Sequence, residues 1–253
     1  MVDEDIRKWW DDNALDFQKE YKIGIDINYG PGSPNEDYMK LLGNVEGKNI
    51  LEIGCGGAQC GIALAKKGAK VIGIDISEEQ LKYARKLAKN NCVDLKLFCG
   101  NMENLGQIES NSQDIVFSSW ALAYIGNLSS CFTEIHRVLK KGGIVVFSLN
   151  HPFWTIINSS TFRIRRSYFD VGPHREPWKK GIFTIYHHKM SDIINAIVGS
   201  HLVLEKVIEP DSRKEYKEDF WMENYEEEKK EAMKFVPRNL IIKAKKTDFT
   251  GRA

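Results

Sequence analysis

Residues 49–75 read Asn-Ile-Leu-Glu-Ile-Gly-Cys-Gly-Gly-Ala-Gln-Cys-Gly-Ile-Ala-Leu-Ala-Lys-Lys-Gly-Ala-Lys-Val-Ile-Gly-Ile-Asp. The run Ile50-Leu51-Glu52-Ile53 has the composition of a short buried parallel strand. It stops at Gly54-Cys55-Gly56-Gly57, where glycine permits a tight turn and close approach of a ligand to the backbone. Helical spacing follows through Ile62, Ala63, Leu64 and Ala65, and Gly68 supplies the stop. A second strand, Lys70 to Ile74, ends on Asp75, about twenty residues after Gly54. A strand, glycine turn, helix, strand and terminal acid form a unit that binds an adenosine-containing cofactor, with the acid on the ribose hydroxyls.

Glu52 narrows the choice of cofactor. A dinucleotide fingerprint requires glycine at the first, third and sixth positions of the turn, and the sixth here is Gln59. A carboxylate two residues before the first glycine would repel a pyrophosphate but suits a ligand carrying an ammonium and a sulfonium, such as S-adenosylmethionine. The segment resembles the first two motifs of class I S-adenosylmethionine-dependent methyltransferases of the ubiquinone and menaquinone biosynthesis type. One departure is Ala58, where that family often has a third glycine; only a minor change is expected from it.

Further segments extend the resemblance. Gly100-Asn101-Met102-Glu103 follows a third strand, Leu95 to Cys99, where the family commonly has Gly-Asp, a small or apolar residue, and an acid. Gln113 to Trp120 is similar to the family's fourth strand and the loop beside the methyl group, and Glu134 to Gly143 to the helix and turn before the fifth. The match is strong over residues 45–150 and weaker over 183–210 and the final strand. It implies an α/β, doubly wound, mostly parallel seven-stranded sheet. It also implies cofactor contacts from Glu52, Gly54, Cys55, Gly56, Ala58, Asp75 and Ile76, from Asn101, Met102 and Glu103 around the adenine, and from Ser119, Trp120, Tyr21 and Tyr29. No metal is implied, and the product is S-adenosylhomocysteine.

The rest of the chain reads as an alternation of helix and strand. Ser77 caps a helix whose inner face is Leu81, Ala84, Leu87 and Ala88. A helix over 129–139 is closed by Lys140-Lys141-Gly142-Gly143, and strands are expected at 113–118, 144–149 and 239–245. The organisation expected is one domain over 1–253, with an aromatic N-terminal lid (1–44), a cofactor core (45–150), an inserted acceptor-side hairpin (151–188) and the C-terminal part of the sheet (189–253). Strand character over 162–169 and 182–188 places the arms of that hairpin. Asp211 to Val236 is highly charged and reads as helical in part.

With 36 basic and 35 acidic residues, the chain has no overall attraction for nucleic acid or anionic membrane. No apolar stretch is long enough to span a bilayer, the N-terminus does not read as a signal peptide, and a cytoplasmic enzyme is expected. Five cysteines without Cys-x-x-Cys spacing argue against a disulfide framework and a zinc site.

The fourth strand is followed by Ser118-Ser119-Trp120-Ala121, without the Asn/Asp-Pro-Pro-Tyr/Phe of amino-methylating nucleic-acid enzymes, the nucleophilic cysteine of pyrimidine-C5 enzymes, or the metal ligands of catechol enzymes. A small-molecule acceptor is therefore favoured, and the enzyme is expected as a monomer or homodimer. The other readings kept open are an RNA methyltransferase, a nicotinamide-dependent dehydrogenase and a non-catalytic cofactor-binding protein. Arg163, Arg165, Arg166, Arg175, Lys179 and Lys180 make the insertion basic, which fits a solvated face, an anionic acceptor or RNA. Trp120 and Tyr124 are expected to line the methyl-transfer cleft, Tyr124 also as a catalytic candidate. His151 is the candidate general base, with His187 and His188 behind it.

Overall fold

The computed structural model describes residues 2–178, 181–214 and 226–247. Lys179 and Lys180 of the basic run, and the middle of the charged 211–236 segment, lie outside the described residues.

Five strands run parallel: β1 (Asn49–Ile53), β2 (Lys70–Asp75), β3 (Lys96–Cys99), β4 (Gln113–Ser119) and β5 (Leu139–Asn150). With β10 (Leu202–Ile208) and β11 (Asn239–Lys246) they form one sheet in the order β10-β11-β5-β4-β1-β2-β3. β11 is antiparallel to both of its neighbours. The expected seven-stranded, mostly parallel sheet is therefore present.

Side-chain alternation along the central strands builds two cores, one on each face. Leu51, Ile53, Val116, Val145 and Phe147 pack under α5 (Leu128–Val138) and α6 (Met190–Gly199). Ile50, Ile115, Phe117 and Val146 pack under α3 (Gln59–Lys66) and the loop carrying Ile27, Tyr29 and Leu41. Glu52 shares the second face with Ile50, two residues away, and this turns an acid toward α3. The helix α4 (Glu78–Asn90) starts at Ser77, whose hydroxyl accepts the Gln80 N–H at 3.1 Å.

Two details correct the sequence reading. The helix before the fifth strand ends at Val138, and the strand starts at Leu139 rather than Ile144. Lys140 to Gly143 forms an irregularity inside β5, where the register against β4 jumps from Gln113–Leu139 to Ile115–Ile144. The inserted hairpin is also present, but its first arm is β8 (Gly172–Trp178), paired with β9 (Gly181–His187), and not 162–169. Pro173 and Pro177 disguised β8; a strand with a single partner tolerates proline because its outer N–H groups have no ladder to serve. Within 162–169 only β7 (Arg163–Ile164) is extended, against β6 (Ile157–Asn158).

At the N-terminus, α1 (Val2–Tyr21) lies across α4 and β9. Asp11 fastens it by accepting the Ser77 hydroxyl (2.7 Å) and the Glu79 N–H (3.3 Å). A short α2 (Glu36–Met39) follows, and α7 (Glu227–Met233) precedes β11. No helix among the described residues is long and apolar enough to cross a membrane.

Candidate functional site

Strand order reverses between β1 and β4, and the crevice outside the carboxyl ends of such strands is where this architecture holds ligands. A cavity of about 900 Å³ opens there. Its floor is Glu52, the turn Gly54 to Gly57, Asp75 and Ile76; Ser119 to Ala121 and Tyr124 form one wall, Met102 another. α1 roofs it with Ile6, Trp10, Phe17 and Gln18. Gln18 is clamped to the floor, donating to Gln80 Oε1 (3.0 Å) and accepting from Gln59 Nε2 (2.5 Å).

The two carboxyl groups differ in their surroundings. Asp75 Oδ2 accepts the Gly56 N–H (2.7 Å) and Oδ1 the Ser77 N–H (2.9 Å), so the side chain and the glycine turn hold one another in place. Burial pushes its carboxyl up to about 6 against those hydrogen bonds. Gly56 has φ +51, and a side chain added there would meet almost nothing, because its Cβ direction opens into the cavity. Glu52 is 3% exposed, and its Oε2 has no hydrogen-bond partner among the described residues. Burial pushes it up to about 8, the Gly61 backbone pulling the other way and the Asp75 charge adding to the rise. A Cβ at Gly61 would lie 2.5 Å from Glu52 Oε2, so the glycine inside α3 makes room for this acid.

Trp120 joins this cavity to a second one. Its backbone is left-handed (φ +63), which is uncommon for a bulky residue and is retained where surroundings enforce it. Here its N–H donates to both the carbonyl (3.0 Å) and the hydroxyl (3.1 Å) of Ser148, and its indole N–H to Asn239 Oδ1 (2.8 Å). The second chamber, about 650 Å³, shares Trp10, Phe17, Trp120 and Tyr124 with the first. Trp9, Tyr21, Trp178 and Phe183 add further aromatic walls, and Asn150, Lys229 and Arg238 add polar ones. The rings pack edge to face, Trp9 on Trp178 at 5.0 Å and Trp10 on Tyr124 at 5.3 Å.

Residues 51–147 match the family described as "Methyltransferase domain". An uncharacterized protein of Haemophilus influenzae is 30% identical over 188 residues, spanning 68% of this chain and 74% of that one. The ubiquinone biosynthesis O-methyltransferase of Neisseria meningitidis serogroup C is 31% identical over 143 residues, a match covering 56% of each chain. The solved S-adenosylmethionine-dependent methyltransferase of Mesorhizobium loti superposes with a TM-score of 0.68 at 26% identity, covering 83% of this chain and 95% of that one. The chain belongs to the class I S-adenosylmethionine-dependent methyltransferases.

The residues around this methyltransferase's cavity fit the cofactor. Glu52 presents a buried, unpartnered carboxyl oxygen of the kind an ammonium would satisfy, Asp75 is an acceptor for hydroxyls, and Ile76 and Met102 offer apolar surface for a ring. Gly54, Cys55, Gly56, Ser119 and Trp120 also line the cavity, as does Tyr124. Burial raises the Tyr124 phenol well above its ordinary value, so it stays protonated at neutral pH.

Several other expected site residues lie elsewhere. Ala58 is fully buried behind the turn with φ +56, a left-handed conformation that glycine adopts more readily than alanine. Asn101 does not line the cavity: its amide oxygen accepts the Glu103 N–H (2.8 Å) and its amide donates to Asp3 (2.9 Å). Glu103 instead accepts the Gly126 and Asn127 N–H groups (3.0 and 2.9 Å), bracing the start of α5. Tyr29 is wholly buried on Glu36 (2.6 Å), and Tyr21 faces the second chamber.

His151, expected as the base, is held by partners of its own. Its Nδ1 accepts the Phe153 N–H (3.1 Å) and its Nε2 donates to Glu209 (2.8 Å), leaving no ring nitrogen for an acceptor, and it lines none of these cavities. His188 donates to the Ile125 carbonyl (2.8 Å), and His187 bridges Thr155 and the Tyr168 carbonyl. The sequence reading did not pick out Gln18, Gln80, Trp178 or Arg238. Gln18 had a usable signal: it follows Phe17 and lies four residues after Ala14, on the face of α1 that also carries Trp10 and Tyr21.

Proposed function

We propose that this enzyme transfers the methyl group of S-adenosylmethionine to an O, N or C nucleophile on a small molecule, releasing S-adenosylhomocysteine. The supporting observation is the pair of joined cavities. One holds the two carboxyl groups suited to the cofactor, the other is walled by aromatic rings, and Trp120 and Tyr124 belong to both. In this reading Glu52 receives the ammonium, Asp75 the ribose hydroxyls, and Met102 and Ile76 flank the adenine. Residues 1–44 act as the lid and the whole chain as one catalytic unit.

The cofactor, when bound, supplies a methyl group already made electrophilic by its sulfonium. The protein's task is then alignment and exclusion of water. The roof of α1 and the aromatic chamber serve both. Among the described residues the aromatic chamber is lined by no histidine or carboxylate. Incubating the protein with methyl-labelled S-adenosylmethionine and fractionated cell extract tests the reading. Label should enter the low-mass fraction and resist ribonuclease. Label confined to RNA, or no transfer into any fraction, would overturn it.

A further inference from the structure

Three glutamines converge beside the glycine turn from three different elements. Gln18 comes from α1, Gln59 opens α3 and Gln80 belongs to α4, and all three line the cofactor cavity. They are 5%, 5% and 2% exposed, although glutamine is ordinarily a surface residue. Their side-chain amides form a chain, Gln59 donating to Gln18 (2.5 Å) and Gln18 to Gln80 (3.0 Å). A primary amide carries two N–H donors. Gln18 and Gln59 therefore keep one N–H each and Gln80 keeps both, with no further side-chain hydrogen bond among the described residues. Buried donors in this state call for an acceptor.

The amides lie against the turn itself. A Cβ at Gly57 would stand 2.7 Å from Gln59 Oε1 and 2.8 Å from Gln18 Nε2, so the bare backbone there is what admits them. The same place receives the start of α3. Its cap residue, Ala58, makes no side-chain hydrogen bond, and the first N–H groups of a helix favour negative charge. Gly61, whose missing side chain makes room for Glu52, lies two residues beyond Gln59 in that first turn. In the amino-acid tail of S-adenosylmethionine the ammonium and the carboxylate share one carbon. A receptor for the carboxylate must therefore adjoin Glu52, the receptor for the ammonium.

We propose that Gln18, Gln59 and Gln80 receive the cofactor's carboxylate, as a cluster of neutral amide donors at the start of α3. This rests on the methyltransferase reading and deepens it. Through Gln18, α1 becomes part of the cofactor site as well as its roof, and a cofactor without the carboxylate is discriminated against.

The test is calorimetry with S-adenosylhomocysteine and with S-adenosyl-3-thiopropylamine, the same molecule without its carboxylate. The wild-type protein should bind the first at least about tenfold more tightly. Gln18→Met keeps the length and helix propensity of the side chain but removes its N–H groups. It should reduce that preference at least threefold, while affinity for the thiopropylamine stays within twofold. Equal or tighter binding of the thiopropylamine by the wild type, or an undiminished preference in Gln18→Met, would overturn the proposal. Should Gln18→Met weaken both ligands alike because α1 loosens, Gln80→Met decides: a loss at least threefold greater for S-adenosylhomocysteine supports the site, and equal losses or none reject it. Failure of the wild-type protein to bind either ligand would strike the methyltransferase reading instead, so the two failures are separable.

Discussion

The cofactor side of the site and its aromatic side are assembled in different ways. On the cofactor side, Glu52, the glycine turn and Asp75 fall within 24 residues, and each is placed by the strand or turn that contains it. The aromatic chamber draws Trp9 and Trp10 from α1, Trp120 from the end of β4, Trp178 and Phe183 from the hairpin, and Arg238 from the entry to β11. Local geometry fixes the first; only long-range packing fixes the second. The first should therefore fail sharply on single substitutions, while the second should tolerate changes to one ring and fail when its hydrogen-bonded posts are removed.

The largest effect should come from Asp75→Ala. It removes the acceptor for the Gly56 and Ser77 N–H groups as well as for the ribose, and should cost about 1.5–3 kcal/mol in S-adenosylhomocysteine binding by calorimetry. Unchanged affinity would mean the ribose lies elsewhere. Gly61→Ala should follow, weakening binding by about 1–2 kcal/mol through displacement of Glu52 Oε2. Glycine to alanine inside a helix ordinarily stabilises folding by about 1 kcal/mol, so the loss is read in binding and not in a melt; unchanged binding would show that Glu52 moves without consequence.

Between pH 6.5 and 8, above the range of the lowered His151, His187 and His188, the ligand-free protein should lose stability. The folded state keeps the Glu52 proton up to about 8, whereas the unfolded chain has already released it above 4.5, so stability is full below 4.5 and is lost as the pH rises to about 8. Thermal melts should show the decline in the wild type and a flatter profile for Glu52→Gln; parallel profiles would remove the assignment.

Outside both cavities, His151→Ala should leave cofactor affinity within about threefold and lower unfolding free energy by about 1–2 kcal/mol, because it strands the Phe153 N–H. A large loss of turnover at unchanged stability would restore it as a catalytic group. The smallest effect is Ala58→Gly, which relieves a left-handed alanine and should change stability by no more than about 1 kcal/mol, in the stabilising direction. A destabilised variant would show that the alanine methyl is packed to advantage.

This contrast also explains what could be read in advance. The β1–α3–β2 unit, the Ser77 cap and the final strand were legible because periodicity and punctuation are local signals. Trp120 was placed by its position at the end of β4, but not the posts that hold it, since Asn239 and Arg238 lie about 120 residues away. Asn101 looked like an adenine ligand from its loop; the Asx turn to Glu103 that consumes its oxygen is a conformational fact, not a compositional one. His151 looked like a base because it follows β5, and nothing local announced Glu209 as its partner. The strand β8 was hidden by its own prolines, and 162–169 displaced it because an alternating basic and apolar run imitates a strand.

The most direct test of Glu52 as the cofactor's anchor is titration of the protein with S-adenosylhomocysteine at pH 7 in buffers of different ionisation enthalpy. An acid pushed up to about 8 is mostly protonated in the free protein and must ionise to face an ammonium, so binding should release on the order of one proton. Glu52→Gln should bind more weakly and release none. Equal affinity and equal proton release in the wild type and Glu52→Gln would contradict the assignment and place the ammonium on another group.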